Sequence, residues 1–209
     1  MVYAGSVFLL INASVSGQYF ENDDSLRSEP KTFFYEFGGE RFVFTTDAGV
    51  FSNGRVDANT EILLQNIPAP SGSLLDLGCG YGCIGIILAR KYKLKLTQSD
   101  VSMRAVALAE LNCRGNGVRP NVLLSDGFNE INEKFDCITL NPPIHAGKEK
   151  VFELYDGAVK HLNANGKFYV VISKRHGAES SVKKLNEIFG GCETLYKRKG
   201  CLILCCAGK

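Results

Sequence analysis

Leu74-Leu75-Asp76-Leu77-Gly78-Cys79-Gly80-Tyr81-Gly82-Cys83-Ile84-Gly85 is an apolar strand that runs directly into alternating glycines and then into a helix. Glycine has no Cβ, so such a loop turns sharply and lets backbone approach a ligand closely. Working outward, Leu74–Leu77 reads as a strand, Cys83–Tyr92 as a helix and Leu94–Gln98 as the next strand. Ser102–Arg114 follows as a helix with Ser102 as its cap. Then come Val122-Leu123-Leu124, a strand over Phe135–Leu140, a helix from about Glu149 to Leu162, and a strand over Phe168–Ile172. A helix near Ala178–Phe189 precedes a closing hairpin of Glu193–Lys197 and Leu202–Cys206 around Arg198-Lys199-Gly200.

Strand and helix in alternation predict an α/β fold: a Rossmann-like, mostly parallel sheet with helices on both faces and an antiparallel C-terminal hairpin strand. Upstream, the aromatic run from Thr32 to Thr46 is split by Gly38-Gly39 and reads as a small N-terminal β-hairpin. A helix within Val56–Ile67 follows it, stopped by Pro68 and Pro70. The organisation expected is an extension over 1–30 and one domain over 31–209, with hairpin and helix in 31–70 and the Rossmann-like core in 71–209. In such sheets ligands bind beyond the strand C-termini, at the point where strand order reverses.

Composition narrows the function. The 209 residues are 45% hydrophobic and 22% charged, which describes a globular chain and excludes general disorder. A net charge of +2 excludes a uniformly polycationic coat. The charge is uneven: residues 1–73 hold 4 basic and 9 acidic side chains, leaving 20 and 13 for residues 74–209, so an anionic partner should meet the C-terminal part. Eight cysteines without a Cys-x-x-Cys pair, several of them inside apolar runs, read as free thiols in a reducing cytosol. His145, His161 and His176 have no metal-ligand spacing, and no metal is expected. The apolar run Val2–Val15 is too short for a bilayer and lacks preceding Lys or Arg, so it reads as a frayed or packed extension, with no membrane partner.

The glycine loop alone leaves its ligand open, because Gly80-Tyr81-Gly82-Cys83-Ile84-Gly85 also fits the dinucleotide fingerprint. Asp100, twenty residues past Gly80 at the end of the second core strand, suits the ribose hydroxyls of either cofactor. Asp126 in Leu124-Ser125-Asp126-Gly127 is placed for an adenine amino group, or simply for a turn. Leu140-Asn141-Pro142-Pro143-Ile144-His145 decides between them. Two prolines make a rigid bend without N–H donors, so the Asn141 side-chain oxygen and the Pro142 carbonyl can accept both hydrogens of a planar amine. Hydride transfer has no use for such a clamp.

With Asp76-x-Gly78-x-Gly80-x-Gly82, Asp100, Asp126, Asn141-Pro142-Pro143 and the upstream Asp47-Ala48-Gly49-Val50-Phe51-Ser52 followed by Val56-Asp57, the chain resembles the S-adenosylmethionine-dependent methyltransferases of seven-stranded Rossmann-like fold. More narrowly, it resembles the "methyltransferase small" group, which includes the ribosomal RNA small-subunit methyltransferase C type. The resemblance implies that Gly78, Gly80 and Gly82 pass under the methionine part of S-adenosyl-L-methionine, with Asp76 in the same motif. Asp100 would hold the ribose, and the 47–52 turn with Phe51 would fold over the cofactor; plain core packing is the other reading of Phe51. It also implies a catalytic Asn141-Pro142-Pro143, methylation of an exocyclic amine, foremost guanine 2-amino in ribosomal RNA, and a cytoplasmic location.

Many such proteins carry Phe or Tyr after the prolines to stack on the base, where this chain has Ile144. His145 either takes over that contact or is a solvated loop residue. Lys148, Lys150 and Lys174-Arg175-His176, near strand C-termini, are candidates to meet RNA, whereas Lys197-Arg198-Lys199 reads as a solvated turn. Alternatives are methylation of a protein glutamine amide, a cofactor-binding RNA module without turnover, and a nicotinamide dehydrogenase. The related ribosomal RNA enzymes are often double-length, and a homodimer would be one way to supply the missing recognition surface.

Overall fold

In a computed structural model, residues 27–52, 54–143, 146–173, 177–198 and 200–208 are described. The expectations for residues 1–26, Ile144, His145, Lys174-Arg175-His176 and Lys199 lie outside the described residues. The N-terminal hairpin is β1 (Lys31–Phe37) and β2 (Glu40–Thr46), and α1 spans Ala58–Asn66. The core follows as β3 (Ser73–Leu77), α2 (Cys83–Tyr92), β4 (Lys95–Asp100), α3 (Met103–Gly115), β5 (Asn121–Leu124) and β6 (Phe135–Leu140). It closes with α4 (Gly147–Lys160), β7 (Leu162–Ser173), α5 (Ala178–Phe189), β8 (Cys192–Arg198) and β9 (Cys201–Ala207).

Seven strands form one sheet in the order β5-β4-β3-β6-β7-β9-β8, parallel except for β9 and β8. The order reverses between β3 and β6, so the crevice beyond their C-terminal ends opens there. One core cluster includes Ile86, Ile87, Leu88, Leu63 and Phe44 and joins α1, α2 and the hairpin to one sheet face. The other includes Tyr155, Phe168, Leu185 and Phe189 and joins α4 and α5 to the opposite face. The two clusters account for strands that are apolar on both sides.

One boundary and one bond differ from the sequence reading. Strand β7 begins at Leu162, where the helix was expected to end, and a register irregularity opposite Phe135–Cys137 absorbs its polar start Asn163-Ala164-Asn165-Gly166. The closing hairpin folds inward, with β9 paired to β7 and β8 left at the edge. Cys192 and Cys206 are joined in a disulfide, which corrects the reading of eight free thiols. They face each other across β8 and β9, a cross-strand adjacency that spacing along the chain does not reveal. The other six cysteines are free.

The hairpin is fastened to α3 by two asparagines one helical turn apart, which act as a surrogate strand for β2. Asn112 Oδ1 accepts from Thr45 N (2.7 Å) while its Nδ2 donates to Thr45 O (2.9 Å) and Tyr81 O (2.8 Å). Asn116 Oδ1 accepts from Val43 N (3.0 Å) and its Nδ2 donates to Val43 O (2.7 Å). The edge of β2 is thereby satisfied without a third strand. Asn112→Ala strands those backbone groups, and a loss of roughly 2–4 kcal/mol in urea denaturation is expected; an unchanged midpoint would refute the fastening role.

Candidate active site

Asp76 lies at the bottom of the site. It sits on β3 with 1% exposure, its Oδ2 accepting from Gly85 N (2.8 Å) and Gln98 Nε2 (3.3 Å) and its Oδ1 accepting from Thr139 Oγ1 (3.0 Å). It does not line the ligand cavity; it holds the loop from below. Burial pushes its carboxyl up to about 6, against the lowering effect of those hydrogen bonds. A Cβ on Gly85 would meet Gln98 Nε2 at 2.8 Å and Leu96 Cδ1 at 2.9 Å, so this glycine serves helix-to-strand packing. At Gly78 a Cβ would meet nothing within 4 Å, and at Gly80 only Val50 Cγ1 at 3.9 Å: both border open space.

That space is a cavity of about 400 Å³, within the usual range for a small-molecule site. Gly78, Gly80, Asp100, Asp126, Asn141 and Phe51 all line it, so the loop, the ends of β4, β5 and β6, and the 47–52 turn converge. Gly82 does not line it; it caps α2 in the left-handed conformation, φ 91°. Asp100 Oδ2 accepts from Gly80 N and its Oδ1 from Ser102 N, both at 2.9 Å; burial raises its pKa in spite of these bonds. Among the described residues, the charged ones lining the cavity are Asp57, Asp100 and Asp126 against Lys150, a balance that favours a cation over a diphosphate.

The turn after β2 forms a strap over this cavity. Asp47 accepts from Ser28 Oγ (2.8 Å), Glu29 N (2.6 Å) and Ala48 N (2.7 Å), and these bonds, Ser28's first, hold its carboxyl below the usual range. Arg104 donates to Ala48 O at 2.6 Å, and Tyr81 Oη to Arg55 O at 3.2 Å. Phe51 is 57% exposed at the cavity wall, which overturns the core-packing alternative for it.

Asn141 sits where the first cavity meets a second, of about 280 Å³; Asn141, Pro142 and Pro143 line both. Its Nδ2 donates to Thr60 Oγ1 (3.2 Å) and lies 3.5 Å from Asp57 Oδ2. With its NH₂ turned toward α1, the amide leaves Oδ1 as its free acceptor. Thr60 was not singled out in the sequence, and Asp57 entered only through the Val56-Asp57 part of the resemblance; in the structure Asp57 caps α1 through Asn59 N (2.9 Å). Lys150, read as an RNA contact, instead pairs with Asp126 (2.7 Å) and Glu153 (3.2 Å). Lys148 lines the second cavity, 5.2 Å above the Phe152 ring. His161, between Gly157 O and Ile131 O and stacked on Phe128, is structural. Ser173 and Arg198 both lie opposite Cys201, which places the exposed Lys197 and Arg198 near the C-terminal end of β7, the end of the sheet at which the site lies. Among the described residues no group of three or more His, Cys, Asp or Glu could hold a metal, and no helix is long and apolar enough to cross a membrane.

Residues 41–205 match the family described as "Methyltransferase small domain". The chain belongs to this family. It is 36% identical over 196 residues to the uncharacterized protein YbxB of Bacillus subtilis, covering 91% of this chain and 98% of that one. It is 35% identical to ribosomal RNA small subunit methyltransferase C of Enterobacter sp., covering 80% of this chain and 50% of that protein. For the Escherichia coli K12 protein of the same name the identity is 35% and the shares are 68% and 43%, so the chain spans about half the length of these relatives. A solved Thermus thermophilus 16S ribosomal RNA N2 G1207 methyltransferase, in complex with AdoMet and guanosine, superposes with a TM-score of 0.78 at 26% identity, covering 88% of this chain and 52% of that one. Family membership removes the nicotinamide dehydrogenase alternative.

The buried carboxylate gives a pH signature. A folded pKa near 6 lies above the unfolded value near 4. The folded chain therefore binds the extra proton between them, and Asp76's contribution is fully present below about pH 4 and lost as pH rises through about 6. Melting curves should show the wild-type minus Asp76→Asn difference in stability falling across that window and flat above it; a difference independent of pH would refute the assignment.

Proposed function

We propose that this chain is an S-adenosylmethionine-dependent methyltransferase acting on an exocyclic amine, foremost the 2-amino group of guanine in ribosomal RNA. The observation that carries the reading is the orientation of Asn141: its NH₂ is tied to Thr60, so its oxygen is the acceptor presented where the two cavities meet. The residues present fit the cofactor. The glycines leave room at Gly78 and Gly80, Asp100 sits at the end of β4 for the ribose, and the acidic lining complements a sulfonium. Asp126 reaches an adenine amino group from the other wall, where Lys150 fixes its carboxylate.

S-adenosylmethionine, when bound, supplies a methyl carbon on positive sulfur, so that an N–C bond forms as a C–S bond breaks and a neutral thioether leaves. Asn141 Oδ1 and the Pro142 carbonyl accept the two amine hydrogens and turn the nitrogen lone pair toward the first cavity. The prolines supply no competing donor. A neutral nucleophile and a cationic electrophile need no strong base before transfer; the positive charge passes to the methylated nitrogen, which then loses one proton to water, so catalysis rests on positioning. Asp76 acts only through the loop, as a positioning residue. The Thermus thermophilus and ribosomal RNA relatives support guanine as the acceptor, and the basic edge with Lys197 and Arg198 supports an RNA partner.

The direct test is transfer of labelled methyl from S-adenosylmethionine to ribosomal RNA, ribosomal subunits and total protein from cells lacking the gene. The expected product is 2-methylguanine in RNA; label confined to protein would replace this reading with glutamine methylation. Asn141→Ala is expected to keep cofactor binding and lose turnover. Thr60→Val, which frees the asparagine amide, should lower kcat roughly ten- to a hundred-fold with cofactor affinity retained. Full activity in either variant would sink the clamp.

A further inference from the structure

We propose that the second cavity is the seat of the acceptor base and that Phe152 provides the stacking surface that Ile144 lacks. This rests on the acceptor being a nucleobase. The cavity has about 280 Å³ and shares the Asn141-Pro142-Pro143 wall with the cofactor side, so a ring seated in it presents its exocyclic amine at the clamp. Phe152, half-buried on α4, lines only this cavity.

The ring is backed by a column of aromatics running into the core. Phe152 is 5.9 Å from Tyr155, Tyr155 is 6.1 Å from Phe168, and Phe168 is 5.7 Å from Phe189 between centroids. Tyr155 and Phe168 are fully buried, so the ring at the head of the column is held from beneath and its position is fixed in advance. Two lysines lie by the ring, Lys184 at 6.0 Å from its centroid and held by Asp156, and the cavity-lining Lys148 closer. Lys148 Nζ sits 5.2 Å from the ring centroid, the place a base would take, and an ammonium displaced from it stands beside the sugar-phosphate backbone.

The Tyr155 side chain forms part of the cavity wall with its hydroxyl buried against Ser181, and burial pushes that hydroxyl up to about 12. Ser173 and Ser180 also line the cavity. A slot lined by apolar side chains, serine hydroxyls and a lysine suits a planar heteroaromatic ring carrying an anionic tail.

The chain contains no tryptophan, so Phe152→Trp creates a single fluorescent reporter in the full-length protein. Guanosine monophosphate, titrated into that variant with S-adenosylhomocysteine present, should quench the fluorescence saturably, while Leu111→Trp on the outer face of α3 should not respond. Phe152→Leu should raise the KM for RNA roughly ten-fold or more with kcat and cofactor affinity nearly unchanged, and Phe152→Tyr should restore it. No quenching in the Phe152→Trp variant, together with a Phe152→Leu variant within about two-fold of wild type on RNA, would overturn the proposal. Saturable quenching without methylation of any RNA would leave the seat standing and overturn instead the guanine-methylation reading.

Discussion

The buried carboxylate of Asp76 is the constraint on which the site depends. It lies on β3, the strand at which the sheet order reverses, and it binds β4 through Gln98, β6 through Thr139 and the first turn of α2 through Gly85 N. A buried carboxylate without partners would be costly; here three donors and the positive end of a helix surround it. Because its bonds span three neighbouring strands and the helix, the loop between β3 and α2 is set in register with the ends of β4 and β6. Asp100 then closes the arrangement by taking Gly80 N from the far side. Open space above Gly78 and Gly80 follows from a loop pinned from beneath.

The second requirement is that something cover the loop without filling the cavity. The hairpin does this, and its placement depends on polar side chains of a helix. Asn112 and Asn116 hold β2, and Asn112 also reaches Tyr81 O next to the glycine loop. The strap after β2 is therefore anchored to the Rossmann-like core at its start. At its end Asp57 caps α1 and faces Asn141. Displacing the hairpin would thus reach the clamp through α1, by a chain of bonds rather than by contact with any ligand.

The sheet and the loop were legible in the sequence because they rest on local signals. Apolar runs four to six residues long, glycines where backbone must approach, Ser102 as a helix cap and Asp100 twenty residues past Gly80 all act within their own segment. What was not legible is non-local. Thr60 and Asn141 lie 81 residues apart, and only the packing of α1 at the end of β6 brings them together. Cys192 and Cys206 meet through a strand register, as do Ser173 and Cys201, which turn the hairpin cluster toward the site. Asp126 and Lys150 were each read as facing a ligand; their pairing needs the geometry of α4 against the end of β5. The start of β7 failed for another reason: Asn163-Ala164-Asn165-Gly166 has turn composition, and tertiary pairing overrides it.

The two cavities that meet at Asn141 carry opposite charge, and this bears on which ligand enters which side. Among the described residues, three carboxylates outnumber one lysine around the larger one, whereas the smaller has Lys148 as its charged lining residue. A cation is therefore favoured on the glycine-loop side and an anion on the other, and an amine held between them by a neutral amide meets the electrophile with no like charge in its way. An enzyme that joins a sulfonium to a polyanion has to keep the two from exchanging places. Under the proposed reaction that sorting would come from residues on separate elements, Asp57 before α1, Asp100 at the end of β4 and Lys148 on α4, while the uncharged Asn141-Pro142-Pro143 wall stands between.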